Sequence, residues 1–97
     1  MFDKEFKKAL AGARRGDKIV YHTGSLMLDR KRHHTRPNAH DVDAVATAAW
    51  DAAGMVWDKV VEAWRDTGDK QCVLVQRKIA ETEFEIKFDY IAIKISR

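Results

Sequence analysis

The sequence is poor in cysteine and proline and contains no long apolar run. Its 97 residues include one cysteine, Cys72, and one proline, Pro37. A lone cysteine excludes an internal disulfide, and its place in a Cys-Val-Leu-Val run is typical of a small buried hydrophobe. No stretch approaches the roughly 18 apolar residues of a membrane span, and the N-terminus lacks the apolar segment of a secretory signal. We therefore expect a cytoplasmic protein without a membrane partner.

Signatures of catalysis and of metal binding are also missing. The chain has no glycine-rich phosphate loop and no nucleophile motif, so we expect a protein that is not an enzyme and needs no cofactor. No cysteine or carboxylate stands at zinc-finger or zincin spacing from a histidine, so we expect no metal site. Protonation of the histidines near pH 6 would instead add positive charge to residues 30–40, which contain three of the four. The four are His22, His33, His34 and His40.

The chain has enough apolar residues for one core, and its charge is unevenly distributed. It is 45% hydrophobic and 34% charged, which predicts a single globular domain over residues 1–97. The net charge is +3, but residues 1–40 carry ten Lys/Arg against four Asp/Glu, and residues 41–66 carry two against six. This asymmetry predicts a surface with one cationic side, which suits phosphates or an acidic protein.

The stretch 41–66 shows helical periodicity and is the element around which we expect the rest to be arranged. A polar stripe at helical spacing runs in phase from Asp51 to Asp58 through Gly54, so the glycine costs about 1 kcal/mol without resetting the pattern. The pattern predicts one long, bent amphipathic helix over residues 41–66. Its apolar stripe consists of Val42, Val45, Ala49, Ala52, Ala53, Val56, Val60, Ala63 and Trp64.

The segments before this stretch predict a first helix, a strand and a short connection. The first helix covers residues 3–15, with Asp3 as its cap and Gly16 as its stop. Residues 18–22 are β-branched and aromatic and predict a strand. Residues 26–28 allow a short helical turn. The predicted core side of the first helix consists of Phe2, Phe6, Leu10 and Ala13.

The C-terminal third predicts a two-stranded hairpin that can pair back with the first strand. Residues 71–79 and 90–95 read as its strands, and the tip lies at residues 80–83 or in a longer turn. The apolar phase shifts at Tyr90 and Ile91. This shift predicts a bulge or a change of partner at that point.

A basic loop precedes the predicted long helix. It contains neither an acid nor a large aliphatic residue, and Pro37 disfavours a helix for the residue before it. Guanidinium groups bind phosphate in bidentate fashion, so phosphate contact is one interpretation of this loop and a solvated loop is the other. The candidate nucleic-acid-binding residues are Arg30, Lys31, Arg32, His33, His34 and Arg36.

Three tryptophans, Trp50, Trp57 and Trp64, repeat every seven residues. On a helix this spacing places them on nearly one line beside the aliphatic stripe. They are then either core residues or a surface for a protein partner or self-association. Asp58, Glu62 and Asp66 would supply an anionic rim to such a surface.

The order helix, strand, connection, helix, hairpin resembles a winged helix-turn-helix domain, with the C-terminal hairpin as its wing. The resemblance implies an α+β, winged-helix-like fold with two main helices packed on a small three-stranded antiparallel sheet and a C-terminal β-hairpin. In that family a helix enters the major groove, and the matching residues 54–66 are net negative here. Several strings also resemble small uncharacterised bacteriophage and prophage proteins, which implies phage origin and the host cytoplasm. These strings are residues 16–24, 29–30, 73–78 and 90–92.

Two functions follow from these patterns. The first is a phage-type nucleic-acid-binding accessory or regulatory protein, preferring DNA to RNA, which contacts phosphates through the basic loop. The alternative is a protein-binding modulator, an inhibitor or adaptor of host or phage machinery, which acts through the tryptophan-bearing helix. A homodimer is compatible with either function.

Overall fold

A computed structural model of the chain describes residues 1–25, 44–58, 60, 61 and 63–96, without the side chains of Trp57 and Trp64. Within these residues the chain is α+β, with two helices, a three-stranded antiparallel sheet and a separate two-stranded sheet. The elements in chain order are α1 (Asp3–Gly12), β1 (Lys18–Ser25), α2 (Ala44–Ala52), β2 (Met55–Asp58), β3 (Ala63–Asp66), β4 (Cys72–Glu81) and β5 (Ile86–Lys94).

The larger sheet has the strand order β1-β5-β4, with both pairs antiparallel. The prediction that the C-terminal hairpin pairs back with the first strand is therefore confirmed. The predicted bulge is present as well, but it lies on the partner strand. The β1 register shifts between Val20 and His22, opposite Ile91 and Tyr90, so Tyr21 is the extra residue. The bulge lets Tyr21 and Tyr90 share the core, where their rings are 6.4 Å apart.

The core lies between one face of this sheet and the two helices. Phe6 of α1 is 0% exposed and meets Tyr21 edge-on, with 5.6 Å between ring centroids. The α2 side of the core is built mainly from alanines, whose small side chains allow α1 to pack closely against α2. Cys72 is buried, as its apolar setting predicts. The buried cluster consists of Phe6, Leu10, Tyr21, Val45, Ala48, Ala49, Cys72, Tyr90 and Ala92.

The prediction of one helix over residues 41–66 is wrong. α2 ends at Ala52, and Gly54 adopts a positive φ of 86°, which only glycine adopts without strain. β2 and β3 then pair as a β-hairpin, and Val60 is 91% exposed at the turn instead of lying on an apolar helix face. The Asp58 carboxylate accepts the Val60 backbone N–H at 2.9 Å. Such a side-chain turn competes with helical hydrogen bonds.

The ends of two other predicted elements also differ from the structure. α1 ends at Gly12, three residues early, because Ala13 is extended and the Asp17 carboxylate accepts the Arg14 N–H at 2.9 Å in a separate turn. Phe2 is the cap residue of α1 and is 76% exposed, so its assignment to the core is wrong. The β4–β5 turn covers residues 82–85. The predicted helical turn at residues 26–28 lies outside the described residues.

Replacing Gly54 by alanine is expected to destabilise the fold more than replacing Gly68. Both glycines have a positive φ, so alanine costs about 1–2 kcal/mol at either position. A Cβ on Gly54 would also lie 2.9 Å from Lys70 Cγ, whereas a Cβ on Gly68 would meet nothing within 4 Å. We expect the crowding to add about 1–3 kcal/mol for G54A. Urea unfolding of the two variants measures the difference, and equal losses would contradict the close approach.

Candidate functional site

The residues predicted to form functional sites are only partly within the described structure. The basic loop at residues 30–36, with all six candidate phosphate ligands, lies outside it. Trp50 is half-buried on α2, whereas Trp57 and Trp64 stand opposite each other on β2 and β3. The three tryptophans therefore do not form a line on one helix. Their seven-residue spacing instead reflects a hairpin in which the last two are register partners.

An N-terminal basic surface is the largest group of exposed cations in the described structure. It exists because α1 turns Phe6 and Leu10 towards the core, which leaves the lysines of this helix in water. The turn after α1 adds two arginines. None of these side chains has an ion-pair partner among the described residues. The surface consists of Lys4, Lys7, Lys8, Arg14, Arg15 and Lys18.

The ion pairs of the described chain all lie between residues 58 and 89. The shortest are Arg77–Asp89 and Lys78–Glu81, both at 2.8 Å. Hydrogen bonds from Arg77, which has the larger effect, and from Thr23 hold the pKa of Asp89 below its ordinary value. The exposed cations in this half of the described structure are therefore paired, while those of the N-terminal basic surface are not. Asp3, Glu5 and Asp17 lie in the same N-terminal segment and reduce its net charge. The remaining pairs are Arg65–Asp58, Lys70–Asp66 and Lys87–Glu85.

A cleft of about 300 Å³ lies between α1 and α2. Phe6, Leu10 and Ala48 lie at its base and are almost fully buried. The exposed side chains that line it are polar and include Lys7 from α1 and Asp51 from α2. Burial raises the pKa of Asp51, and the positive charge of Lys7 opposes this shift. A typical ligand site needs accessible apolar walls, and the described residues of this cleft supply few. The lining residues of this α1–α2 cleft are Phe6, Lys7, Leu10, Ala48, Asp51, Ala52 and Gln71.

Both hairpins present apolar residues at their turns. Phe84 is 88% exposed at the β4–β5 turn, and Val60 and Val61 are 91% and 65% exposed at the β2–β3 turn. Single apolar side chains are common on protein surfaces and do not by themselves indicate a partner. Phe84 lies between the two predicted strands of the hairpin, residues 71–79 and 90–95. Its exposure follows from the position of the turn, which the sequence left open.

Cys72 and Lys94 face each other on β4 and β5 and have a structural role. Lys94 is 4% exposed, and its Nζ donates to the Leu10 carbonyl oxygen at 2.7 Å. Burial raises the pKa of the Cys72 thiol to about 11, with the charge of Lys94 acting in the opposite direction. The thiol is therefore protonated at neutral pH and is a poor nucleophile.

Comparison with known proteins gives no assignment for this site. No protein-family model matches the chain, and neither the curated proteins nor the solved structures give a match. In the described part of the chain, histidine, cysteine and carboxylate side chains form no group of three that could hold a metal ion. None of the described helices is long and apolar enough to cross a bilayer.

Proposed function

We propose that the protein binds nucleic acid, DNA in preference to RNA, through phosphate contacts. The observation that carries the proposal is the N-terminal basic surface, whose six exposed cations have no ion-pair partner in the described structure. Cations that are already paired must break those pairs before they can bind phosphate, whereas these cations are available. The basic loop, with Arg30, Lys31, Arg32 and Arg36, is the second group of contacts in this proposal.

The fold supports phosphate contact more than reading of bases by a helix. The strand order β1-β5-β4 supports a winged-helix-like arrangement, with the β4–β5 hairpin in the place of the wing. Residues 55–66, where that family has its groove-binding helix, form a hairpin instead. Glu81 at the end of β4 and Glu85 in the turn are paired with lysines, and Glu83 between them would repel phosphates. The proposed role is therefore that of a phage-type accessory or regulatory protein that binds mainly through electrostatic contacts.

Alanine substitution of the unpaired cations is expected to weaken nucleic-acid binding and its dependence on salt. Each phosphate contact contributes about 0.9 to the slope of log K against log salt concentration for duplex DNA. One variant replaces Lys4, Lys8, Arg14 and Arg15, and a second replaces the four Lys/Arg of the basic loop. Fluorescence anisotropy with duplex DNA, single-stranded DNA and RNA at several salt concentrations measures both effects and the preference between the ligands.

The matched control replaces Lys78 and Lys87 by alanine. These lysines have side chains 54% and 50% exposed, similar to free surface lysines, but they are paired with Glu81 and Glu85. We expect this variant to bind nearly as well as the wild type. Absence of binding by the wild type at low salt would refute the proposed function, and retention of binding by both alanine variants would refute the assigned contacts.

The alternative function is a protein-binding modulator that uses the β2–β3 hairpin. It is supported by the backbone register, which places Trp57 opposite Trp64, and by the exposure of the neighbouring Val60 and Val61 at the turn. The surface now differs from the predicted one, because Trp50 stands on α2 instead of sharing a helix with the other two. Two results together would favour this function. The wild type would show no affinity for nucleic acid, and a purified protein partner would bind the wild type but not the V60S/V61S variant.

A further inference from the structure

The turn between α1 and β1 places an acid within the N-terminal basic surface. Arg14, Arg15 and Lys18 are exposed cations of this surface, and Asp17 stands between the last two in the chain. A carboxylate in this position lowers the positive potential that attracts phosphates. The hydrogen bonds of the turn show what Asp17 contributes instead.

Asp17 closes the turn through two hydrogen bonds with Arg14. The Asp17 carboxylate accepts the Arg14 backbone N–H at 2.9 Å. The Asp17 backbone N–H donates to the Arg14 carbonyl oxygen, also at 2.9 Å. The two bonds are reciprocal and join the ends of the four-residue turn 14–17. The backbone that carries both arginines is therefore closed by Asp17.

The same turn is fixed to the sheet and to α1. The Gly16 N–H donates to the Lys94 carbonyl oxygen at 2.8 Å, and the Lys94 N–H donates to the Asp17 carbonyl oxygen at 2.9 Å. The Lys94 Nζ donates to the Leu10 carbonyl oxygen at 2.7 Å, which joins this residue of β5 to α1. Connecting segments are generally more mobile than the elements they join. This one has its backbone held on both sides, while its two arginine side chains remain exposed.

Two exposed guanidinium groups on a fixed backbone are well suited to phosphate. A guanidinium group can donate two parallel N–H bonds to phosphate oxygens, whereas an ammonium group acts as a point charge. A binding group that is already positioned also loses less conformational entropy on association than one on a mobile segment. The lysines of α1 carry the same charge as the two arginines but lack the planar donor group.

We propose that the α1–β1 turn is the principal phosphate-binding element of the N-terminal basic surface and that Asp17 is its positioning residue. Arg14 and Arg15 bind phosphate groups of the nucleic-acid backbone. Asp17 contacts no ligand and holds the turn that presents the two arginines. The proposal rests on the proposed function of nucleic-acid binding. Because phosphate contacts carry no sequence information, the turn contributes equally to the binding of unrelated sequences.

Substitution of Asp17 separates its charge from its hydrogen bond. D17N and D17A both remove one negative charge, but only asparagine keeps a side-chain oxygen that can accept the Arg14 N–H. We expect D17N to bind duplex DNA at least as tightly as the wild type. D17A is expected to bind about 5-fold or more weakly than D17N, because both arginines lose their fixed backbone. Charge alone predicts equal binding by the two variants. Fluorescence anisotropy at low salt measures the difference.

The matched control for D17A is E5A. Glu5 is an exposed acid of α1 in the same N-terminal segment, and its side chain makes no hydrogen bond or ion pair with the described residues. Its removal is expected to leave DNA binding as tight as that of the wild type or tighter, because it only removes a charge that repels phosphates. Circular dichroism checks that all three variants keep their fold.

A second comparison tests the arginines directly. R14A/R15A and K4A/K8A each remove two exposed positive charges from the N-terminal basic surface. R14A/R15A is expected to lower the slope of log K against log salt concentration by about 1.8 for duplex DNA, which corresponds to two phosphate contacts. K4A/K8A is expected to lower it by less and to bind about 10-fold more tightly than R14A/R15A.

The outcomes separate this proposal from the proposed function. Equal binding by D17A and D17N, or binding by R14A/R15A as tight as that by K4A/K8A, would overturn the role of the turn and leave nucleic-acid binding intact. If D17A does not fold, the comparison of arginines with lysines decides alone. A wild type that does not bind nucleic acid at low salt would overturn both.

Discussion

Replacing Phe6 by alanine is expected to lower the free energy of unfolding by about 3–5 kcal/mol, as truncation of a fully buried phenylalanine generally does. Phe6 is 0% exposed and packs against the ring of Tyr21, so it joins α1 to the sheet. It also lies at the base of the α1–α2 cleft. Domains of this size have stabilities of roughly 5–15 kcal/mol. The substitution therefore removes a large part of the stability, and the loss is measurable by urea unfolding at 25 °C.

The control for this substitution is Phe2→Ala in the same helix region. Phe2 is 76% exposed and lies at the cap of α1, so its loss should change the free energy of unfolding by less than about 0.5 kcal/mol. The two phenylalanines are indistinguishable by helical periodicity alone. Equal destabilisation by the two substitutions would show that Phe2 contributes to the core as the sequence predicts and the structure does not.

The sheet was predictable because its strands have clear local signals. Residues 18–22, 71–79 and 90–95 are rich in β-branched and aromatic side chains, and each lies largely within an observed strand. The observed β1 and β4 end three and two residues later than predicted, and β5 begins four residues earlier. The shift of the apolar pattern at Tyr90 and Ile91 also predicted the position of the bulge along the strands, because the register of β1 shifts directly opposite these two residues. It could not identify the bulged strand, since the extra residue belongs to β1, about seventy positions away in the chain.

The β2–β3 hairpin was not predictable because long-range bonds decide it. Two four-residue strands are too short for a period-two pattern to outweigh the helical spacing of their polar residues. The Gly54 carbonyl oxygen accepts the N–H and the hydroxyl of Thr67 at 2.7 and 3.1 Å, and the Gln71 N–H donates to the Ala52 carbonyl oxygen at 2.8 Å. These bonds join the end of α2 to the residues that follow β3, and so they fix both ends of the β2–β3 hairpin. Helical periodicity contains no information about them.

The candidate site was partly predictable from charge. The excess of cations before residue 41 predicts a cationic surface, but it does not show which of these side chains lack an ion-pair partner. The lysines of α1 are distinguished by the contrast with residues 58–89 of the described structure, whose cations are paired. Pairs such as Arg77–Asp89 join residues on neighbouring strands and depend on register, so the contrast emerges only in the folded chain.

The second large effect is expected for Lys94, the buried cation on β5. Its Nζ donates to the Leu10 carbonyl oxygen near the C-terminal end of α1, where a positive charge also interacts favourably with the helix dipole. Lys94→Met keeps the length of the side chain but removes the charged donor. Such a hydrogen bond contributes about 1.5–3 kcal/mol, which is the loss we expect in urea unfolding.

Lys94→Glu should be more damaging than Lys94→Met, because it places an uncompensated negative charge beside a carbonyl oxygen in a site that is only 4% exposed. A cost of about 3–5 kcal/mol is expected for such a charge. Lys87→Met is the control, since Lys87 lies on the same strand with a half-exposed side chain and a 3.6 Å pair to Glu85. Surface pairs contribute little, so this change should cost less than about 1 kcal/mol. Similar losses for Lys94→Met and Lys87→Met would mean that the Lys94 ammonium group reaches water instead of bonding to α1.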